Sequence, residues 1–277
     1  MIIDSFAAQK LLFAHNEGKK SAIIEFDLGF TQKEVMLKEN EIEVDNLVFS
    51  LELIEQIVKK HAVFELSQPP KIIAFYDERY YKLEPIKNSA PTLEIDGIRM
   101  HRTKMLSPLE DAENKIILAG IQTNDEVLDI CTGLGYTAIS AMDVGARVTT
   151  IEKDPNVIEI AKYNPYSRIL FEGRGKNEIK LIMNDASKEV KSFDDESFDV
   201  ILHDPPRFSL AGELYSEEFY RNLYRILRKG GRLLHYVGNP GSKYRGKDFV
   251  KGVQNRLMNA GFQAEKVSNG ESILAYK

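Results

Sequence analysis

Residues 126–136 read EVLDICTGLGY, and Glu152 closes the next apolar run. Glu126 to Ile130 is a short apolar strand. Cys131-Thr132-Gly133-Leu134-Gly135 is a turn of small residues, and Tyr136 to Val144 is helical in character. Glycines at a strand-to-helix turn let the backbone approach a ligand without a Cβ in the way. An acid at the tip of the second strand, roughly 20 residues on, is placed to accept hydrogen bonds from a ribose. The pair predicts a nucleoside-type cofactor at the rim of a parallel sheet.

The spacing narrows the cofactor. A dinucleotide fold uses G-x-G-x-x-G, with a helix N-terminus facing a pyrophosphate. Here the pattern is D-x-C-x-G-x-G, led by Asp129. No Lys-Ser/Thr pair follows the glycines, which excludes a phosphate-cradling P-loop. The string resembles motif I of the class I S-adenosylmethionine-dependent methyltransferases, D/E-x-G-x-G-x-G, with Cys131 standing where that family has its first glycine.

Four further features agree. Val148 to Glu152 is a β-branched strand ending in an acid. Asp154-Pro155 opens a helix with Asp at the cap and Pro in the first turn. Lys180 to Met183 is a short strand followed by Asn184-Asp185, and Phe198 to Leu202 is a strand followed by His203-Asp204-Pro205-Pro206-Arg207. Each polar group falls at a strand's carboxyl end, where open α/β sheets bind ligands. The resemblance implies S-adenosyl-L-methionine as cofactor. It sets the cofactor against Asp129, Cys131, Thr132, Gly133, Gly135 and Tyr136, then Glu152 and Lys153, then Asn184, Asp185 and Ala186, and finally His203.

His203-Asp204-Pro205-Pro206-Arg207 resembles motif IV of amino-methyltransferases, D/N/S-P-P-aromatic. An exocyclic amine delocalises its lone pair into the ring. Hydrogen bonds to the Asp204 carboxylate and the Pro205 carbonyl would hold such an amine for attack, with Pro205 and Pro206 stiffening the turn. These three are the candidate catalytic residues. The fourth position is Arg207 rather than an aromatic. Either Phe208 or the Arg207 guanidinium stacks on the target, unless the target is not a base. For Asp204 the alternative is a cap on the following turn. A lone histidine such as His203, on an apolar strand, is more often packed than chemical. With one cysteine in the chain, sited in motif I, C5-pyrimidine methylation is not expected.

From Asp96-Gly97 onward the chain is also similar to a group of archaeal methyltransferases assigned by sequence, in DGIRMHRTK, LDICTGLGYTAI and HDPPRFSLAGELYSEEFYRNLYRILRKGGRLLHYVGNPG. That resemblance implies fold and cofactor but no acceptor.

The 277 residues, 43% hydrophobic, suffice for one large domain or two modest ones. The expectation is a seven-stranded Rossmann-like α/β sheet over residues 96–277, with a smaller α+β accessory domain over 1–95. The N-terminal part predicts strands over 21–28, 33–39 and 41–49, a helix over 51–61, and hairpins over 71–83 and 93–101. The composition of 87–91 marks the boundary region. In the sheet domain, a capping box at Ser107-Pro108-Leu109-Glu110 starts a helix. A helix over 213–228 is stopped by Gly230-Gly231, a strand covers 232–237, and a helix covers 246–260. The chain ends in a hairpin turning at Asn269-Gly270.

No apolar run is long enough to span a bilayer, and the first residues do not read as a secretory signal. A cytoplasmic protein without membrane partner or metal is expected. Net charge is −5, so no global nucleic-acid signature exists. Arg221 to Lys251, however, hold nine basic residues against one acid. They form either a solvated face or a patch for a phosphate-bearing substrate, with Asn239, Lys243 and Arg245 as substrate-side candidates. RNA is the leading substrate class. The runner-up is an aminopropyltransferase of the spermidine-synthase type or a small-molecule methyltransferase; a non-catalytic RNA-binding protein stands behind both. The oligomeric state is open, a homodimer among the options.

Overall fold

The computed structural model describes residues 1–175, 178–238, 245–267 and 271–277. The chain divides into two compact units. One holds Met1–Leu109 with Glu159–Tyr166, the other Glu110–Ile158 with Ser167–Lys277.

The second unit is built on a seven-stranded sheet. Its strands are β1 (Glu126–Ile130), β2 (Arg147–Glu152), β3 (Lys180–Met183), β4 (Phe198–His203), β5 (Leu227–Tyr236), β6 (Gln263–Val267) and β7 (Ser272–Tyr276). Their spatial order is β3-β2-β1-β4-β5-β7-β6. The pairs from β3 through β5 are parallel, and β7 is antiparallel to both β5 and β6. The order reverses between β1 and β4, which is where an open α/β sheet forms its binding crevice.

The strands read as continuous apolar runs because both faces are covered. Val127, Val148, Val200 and Leu234 pack on one side with Ile116 and Ala119 of α1 (Pro108–Ala119) and with Ala138 and Met142 of α2 (Tyr136–Asp143). Leu128, Ile130, Ile201 and Leu233 pack on the other with Leu223 and Ile226 of α3 (Glu217–Ile226) and with Val253 and Leu257 of α4 (Arg245–Asn259). Alternate residues of one strand thus feed opposite cores, as the two-residue period of a strand dictates.

Two expectations in this unit are corrected. The helix over 213–228 is a 3-10 turn, Gly212–Tyr215, followed by α3, which Ser216 caps by accepting from the Phe219 N–H. Gly230-Gly231 do not stop that helix; they lie inside β5. There the register with β4 jumps from Phe198↔Leu227 to Val200↔Arg232, leaving a bulge on β5. A Cβ on Gly231 would sit 2.8 Å from the Arg228 carbonyl and 2.9 Å from that of Asp199, so only glycine fits. The Asn269-Gly270 turn lies outside the described residues.

The first unit contains three small antiparallel sheets. Its core holds Ile3, Leu11, Phe26, Ile42, Ile54 and Ile57. The expected third strand over 41–49 is two strands, Glu41–Val44 and Leu47–Ser50, in register at Val44↔Leu47. Asp45 and Asn46 turn between them at φ +48° and +64°, the left-handed pair that a two-residue hairpin requires. A helix over Ser5–Asn16, capped by Asp4, was not anticipated. Lys87 and Asn88 form the tip of a hairpin in which Ser89 pairs with Ile86. Among the described residues, no helix is long and apolar enough to cross a membrane.

Candidate active site

The carboxyl ends of β1 to β4 bring together most of the residues singled out by sequence. At the tip of β1 the chain turns sharply. Cys131 has φ +72°, Gly133 +56° and Gly135 +80°. The N–H groups of Cys131 and Thr132 both donate to the Ile151 carbonyl, at 3.0 and 3.1 Å, tying the loop to β2. Gly135 precedes α2 and packs so closely on Leu170 that a Cβ would lie 3.0 Å from its Cδ2. Tyr136, the first residue of α2, is buried.

Beneath this loop Asp129 is 1% exposed. The Thr137 hydroxyl donates to its Oδ1 at 2.8 Å and the Thr150 hydroxyl to its Oδ2 at 2.7 Å. Thr132 joins this network through a 2.6 Å contact between its hydroxyl and that of Thr150. Burial pushes the Asp129 carboxyl up to about 7, and the two hydroxyl bonds offset only part of that. Asp129 therefore serves as a buttress under the loop. The Cys131 thiol is also raised by burial, so it stands as a neutral thiol.

Glu152 ends β2 with its side chain turned back to the loop. Its Oε2 accepts the Gly133 N–H at 3.1 Å, and its Oε1 accepts those of Lys153 and Asp154 at 2.9 and 3.0 Å. Burial raises its pKa against these three bonds. A carboxylate offers about four acceptor positions, so three backbone donors orient Glu152 and leave capacity for a ligand hydroxyl. Lys153 is half-exposed, its Nζ 3.6 Å from Glu213. After β3, the Asn184 N–H donates to the Glu152 carbonyl at 3.0 Å. Asp185 caps the short helix Ala186–Glu189, its Oδ1 accepting both the N–H and the hydroxyl of Ser187. Burial works against its charge, and the Ser187 bonds overcome that and hold its carboxyl below the usual range. Ala186 is buried.

At the tip of β4, Asp204 is partly open and Pro205 buried. The Asp204 Oδ2 lies 2.6 Å from the Lys115 ammonium, whose side chain is 12% exposed against 31% for the aspartate. Lys115 stands on α1 and also reaches the Asp111 Oδ2 at 2.7 Å. Its Nζ lies 4.9 Å from the centre of the Tyr236 ring. Burial opposes its charge, and the two carboxylates more than compensate, raising its pKa. Sequence reading missed Asp111 and Lys115. The i,i+4 spacing on an amphipathic helix was visible, but nothing local shows that Lys115 meets a carboxylate 89 positions later.

Tyr215 was missed too: its hydroxyl donates to the Pro206 carbonyl at 2.9 Å. His203 is buried behind the turn, its Nε2 3.0 Å from the Leu214 carbonyl and its ring 4.3 Å from that of His235. Its Nε2 therefore carries the proton. Its Nδ1 has no partner among the described residues, and burial lowers its pKa to about 4. It is a neutral, packed imidazole. His235 is neutral as well: its Nδ1 faces the His203 carbonyl at 3.2 Å and its Nε2 faces the Tyr220 hydroxyl at 3.0 Å.

Arg207 is exposed beyond the prolines. Phe208 is 51% exposed and sits edge-on to Tyr215 and Phe249, with ring centres 5.5 and 5.6 Å away. Asn239 and Lys243 lie outside the described residues, and of Arg245 only the backbone is described, at the start of α4.

The basic stretch is less available than its composition suggests. Arg221 pairs with Glu217, Arg225 with Asp195, Arg228 with Asp199 and Arg232 with Asp125. Asp125 precedes β1 and Asp199 begins β4, at the amino ends of the strands and so on the rim opposite the candidate site. These arginines close structural bonds and do not form a phosphate patch beside Asp204.

Comparison with known proteins fits this geometry. The family described as a methyltransferase domain matches residues 128–235. Uncharacterized protein MJ1233 of Methanocaldococcus jannaschii is 46% identical over 282 residues, spanning 99% of this chain and 95% of its own. MJ1649 of the same organism, provisionally named a ribosomal RNA large subunit methyltransferase, is 28% identical over 217 residues, 70% of this chain and 51% of its own length. Spermidine synthase from Thermotoga maritima superposes with a TM-score of 0.53 at 18% identity, covering 73% of this chain and 70% of that one. The last likeness speaks to the fold alone.

Proposed function

We propose, from the premise that the chain belongs to the class I S-adenosylmethionine-dependent methyltransferases and to one family with MJ1233, that it methylates a nitrogen, with RNA the leading acceptor class. The observation that carries this reading is the stiff Asp204-Pro205-Pro206 turn at the tip of β4, with one Asp204 oxygen anchored by Lys115 and the Pro206 carbonyl anchored by Tyr215.

S-adenosylmethionine is the cofactor, and the strand tips fit it. Glu152, pre-oriented by three N–H groups, would take the ribose hydroxyls. Asp185 would meet the adenine, and the loop from Cys131 to Gly135 would pass beneath the methionine portion. When bound, the cofactor would supply a methyl group activated by its sulfonium, with a neutral thioether as the leaving group. Asp204 and the Pro205 carbonyl hold the acceptor N–H bonds, and Asp204 receives the proton that the methylated nitrogen sheds before passing it to solvent. Because the leaving group is a neutral thioether, the residues contribute mostly position. Half-exposed Phe208, braced by Tyr215 and Phe249, is a surface on which a base stacks.

The test is incubation with labelled methyl donor and separate RNA, protein and small-molecule extracts. Label is expected in RNA and absent with Asp204→Ala. Label confined to another fraction would replace the acceptor class, and label equal in wild type and variant would remove Asp204 from the chemistry. The runner-up, aminopropyl transfer, is separated by calorimetry: a methyltransferase binds S-adenosylhomocysteine, whereas an aminopropyltransferase prefers methylthioadenosine.

A further inference from the structure

Asp204 does not face the acceptor as a bare carboxylate. Lys115 reaches it from α1, with Nζ 2.6 Å from Oδ2, and the same ammonium is held from behind by Asp111 at 2.7 Å. The Lys115 side chain is 12% exposed and its ammonium lies against the Tyr236 ring. It is therefore a fixed positive charge, sunk behind the oxygen it contacts. The second oxygen, Oδ1, is left as the acceptor for a substrate N–H.

This arrangement acts on the charge of what can bind. A substrate ammonium bonded to Oδ1 would sit about 3 Å from that oxygen and roughly 5–6 Å from the Lys115 nitrogen. Since Coulomb energy falls as the inverse of distance, the ammonium takes back about half of the attraction to Asp204, and the Asp111 carboxylate, farther off behind the ammonium, returns only part of it. An uncharged N–H, on an amide or on an amine conjugated to a ring, meets no such opposition, because its hydrogen bond needs an oriented oxygen rather than a net negative site. A pocket for a polyamine needs the reverse: carboxylates without a neighbouring cation. Of the nearby acids, Asp129 adds little, since it is buried under the loop, where it holds the Thr137 and Thr150 hydroxyls, and burial favours its protonated form.

We propose that Lys115 is a specificity-determining residue: its ammonium, set behind Asp204, opposes a protonated polyamine at this site and leaves an uncharged acceptor nitrogen unopposed. The inference rests on reading the Asp204 turn as the acceptor site.

The probes are putrescine and spermidine, titrated calorimetrically into the full chain saturated with S-adenosylhomocysteine. Wild type is expected to show no saturable heat up to about 10 mM. Lys115→Met, which keeps most of the side chain's length and loses the charge, is expected to gain polyamine affinity by at least about 10-fold. Lys115→Arg should behave as wild type, and adding Asp204→Asn to Lys115→Met should abolish the gain. Binding of S-adenosylhomocysteine by each variant reports an intact fold. Submillimolar polyamine binding by wild type overturns the inference without recourse to any variant. So does a folded Lys115→Met that still ignores polyamines. Failure of wild type to bind S-adenosylhomocysteine would strike the methyltransferase reading instead, so the two failures are distinct.

Discussion

Cys131 holds φ at +72°, in the left-handed region where an L side chain costs roughly 1–2 kcal/mol. That backbone is one a glycine adopts without strain. The departure from the motif was plain in the sequence, but the conformation that makes it strained was not. Asp129 was equally plain as the first letter of the motif, yet its role came only from its surroundings. It is sealed under the loop and pushed to about 7 from 3.8. The folded state thus holds this proton more tightly than the unfolded chain does. The associated stability is full below about pH 4, falls as pH rises toward 7, and is flat above. Asp129→Asn, a mimic of the protonated form, is expected to flatten the dependence of Tm on pH between about 4 and 7. Calorimetric scans of both proteins at unit pH steps would check this; parallel curves would show that Asp129 is ionised in the fold at neutral pH.

Strands β1 to β4 of the larger unit were legible to within a residue, because parallel strands covered on both sides are short apolar blocks punctuated by polar tips, whereas β5 starts at Leu227 and not at 232. What misled were glycines and turns. Gly230-Gly231 imitate a helix stop, but they are needed where β5 bulges against the Asp199 and Arg228 carbonyls. Asp45-Asn46 carried a hairpin signal inside what reads as one strand. Composition does not say which way an arginine points, and Arg221, Arg225, Arg228 and Arg232 of the basic stretch are taken up by ion pairs. Arg232 also donates to the carbonyls of Ala119 and Gly120 at 2.8 and 2.9 Å, closing the end of α1. Arg232→Met is expected to cost about 2 kcal/mol and lower Tm by roughly 4–8 °C. Affinity for S-adenosylhomocysteine should stay within about twofold of wild type. A tenfold loss in titration would tie this rim to the site.

For the molecule as a whole, a ligand that binds only the folded form adds its binding energy to stability. S-adenosylhomocysteine at about 100 times its Kd should contribute about 2.7 kcal/mol and raise Tm by roughly 5–10 °C. Glu152→Ala removes the carboxylate that three backbone donors orient, and should lose most of that rise in a thermal-shift assay. An unchanged shift would place the nucleoside elsewhere. The fold and the cofactor side were readable because they lie in contiguous motifs; the acceptor side was not, because Lys115, Asp204 and Tyr215 meet only in three dimensions. The 3-10 turn Gly212–Tyr215 carries this furthest. His203 grips it at the Leu214 carbonyl, Arg256 donates to the Tyr215 carbonyl at 2.8 Å, and the Tyr215 hydroxyl passes the hold on to Pro206. The diproline corner is thus braced by a turn that is itself tied to β4 on one side and to α4 on the other. Transplanting its tetrapeptide into another sheet would carry the letters without the scaffolding, and the graft would wander.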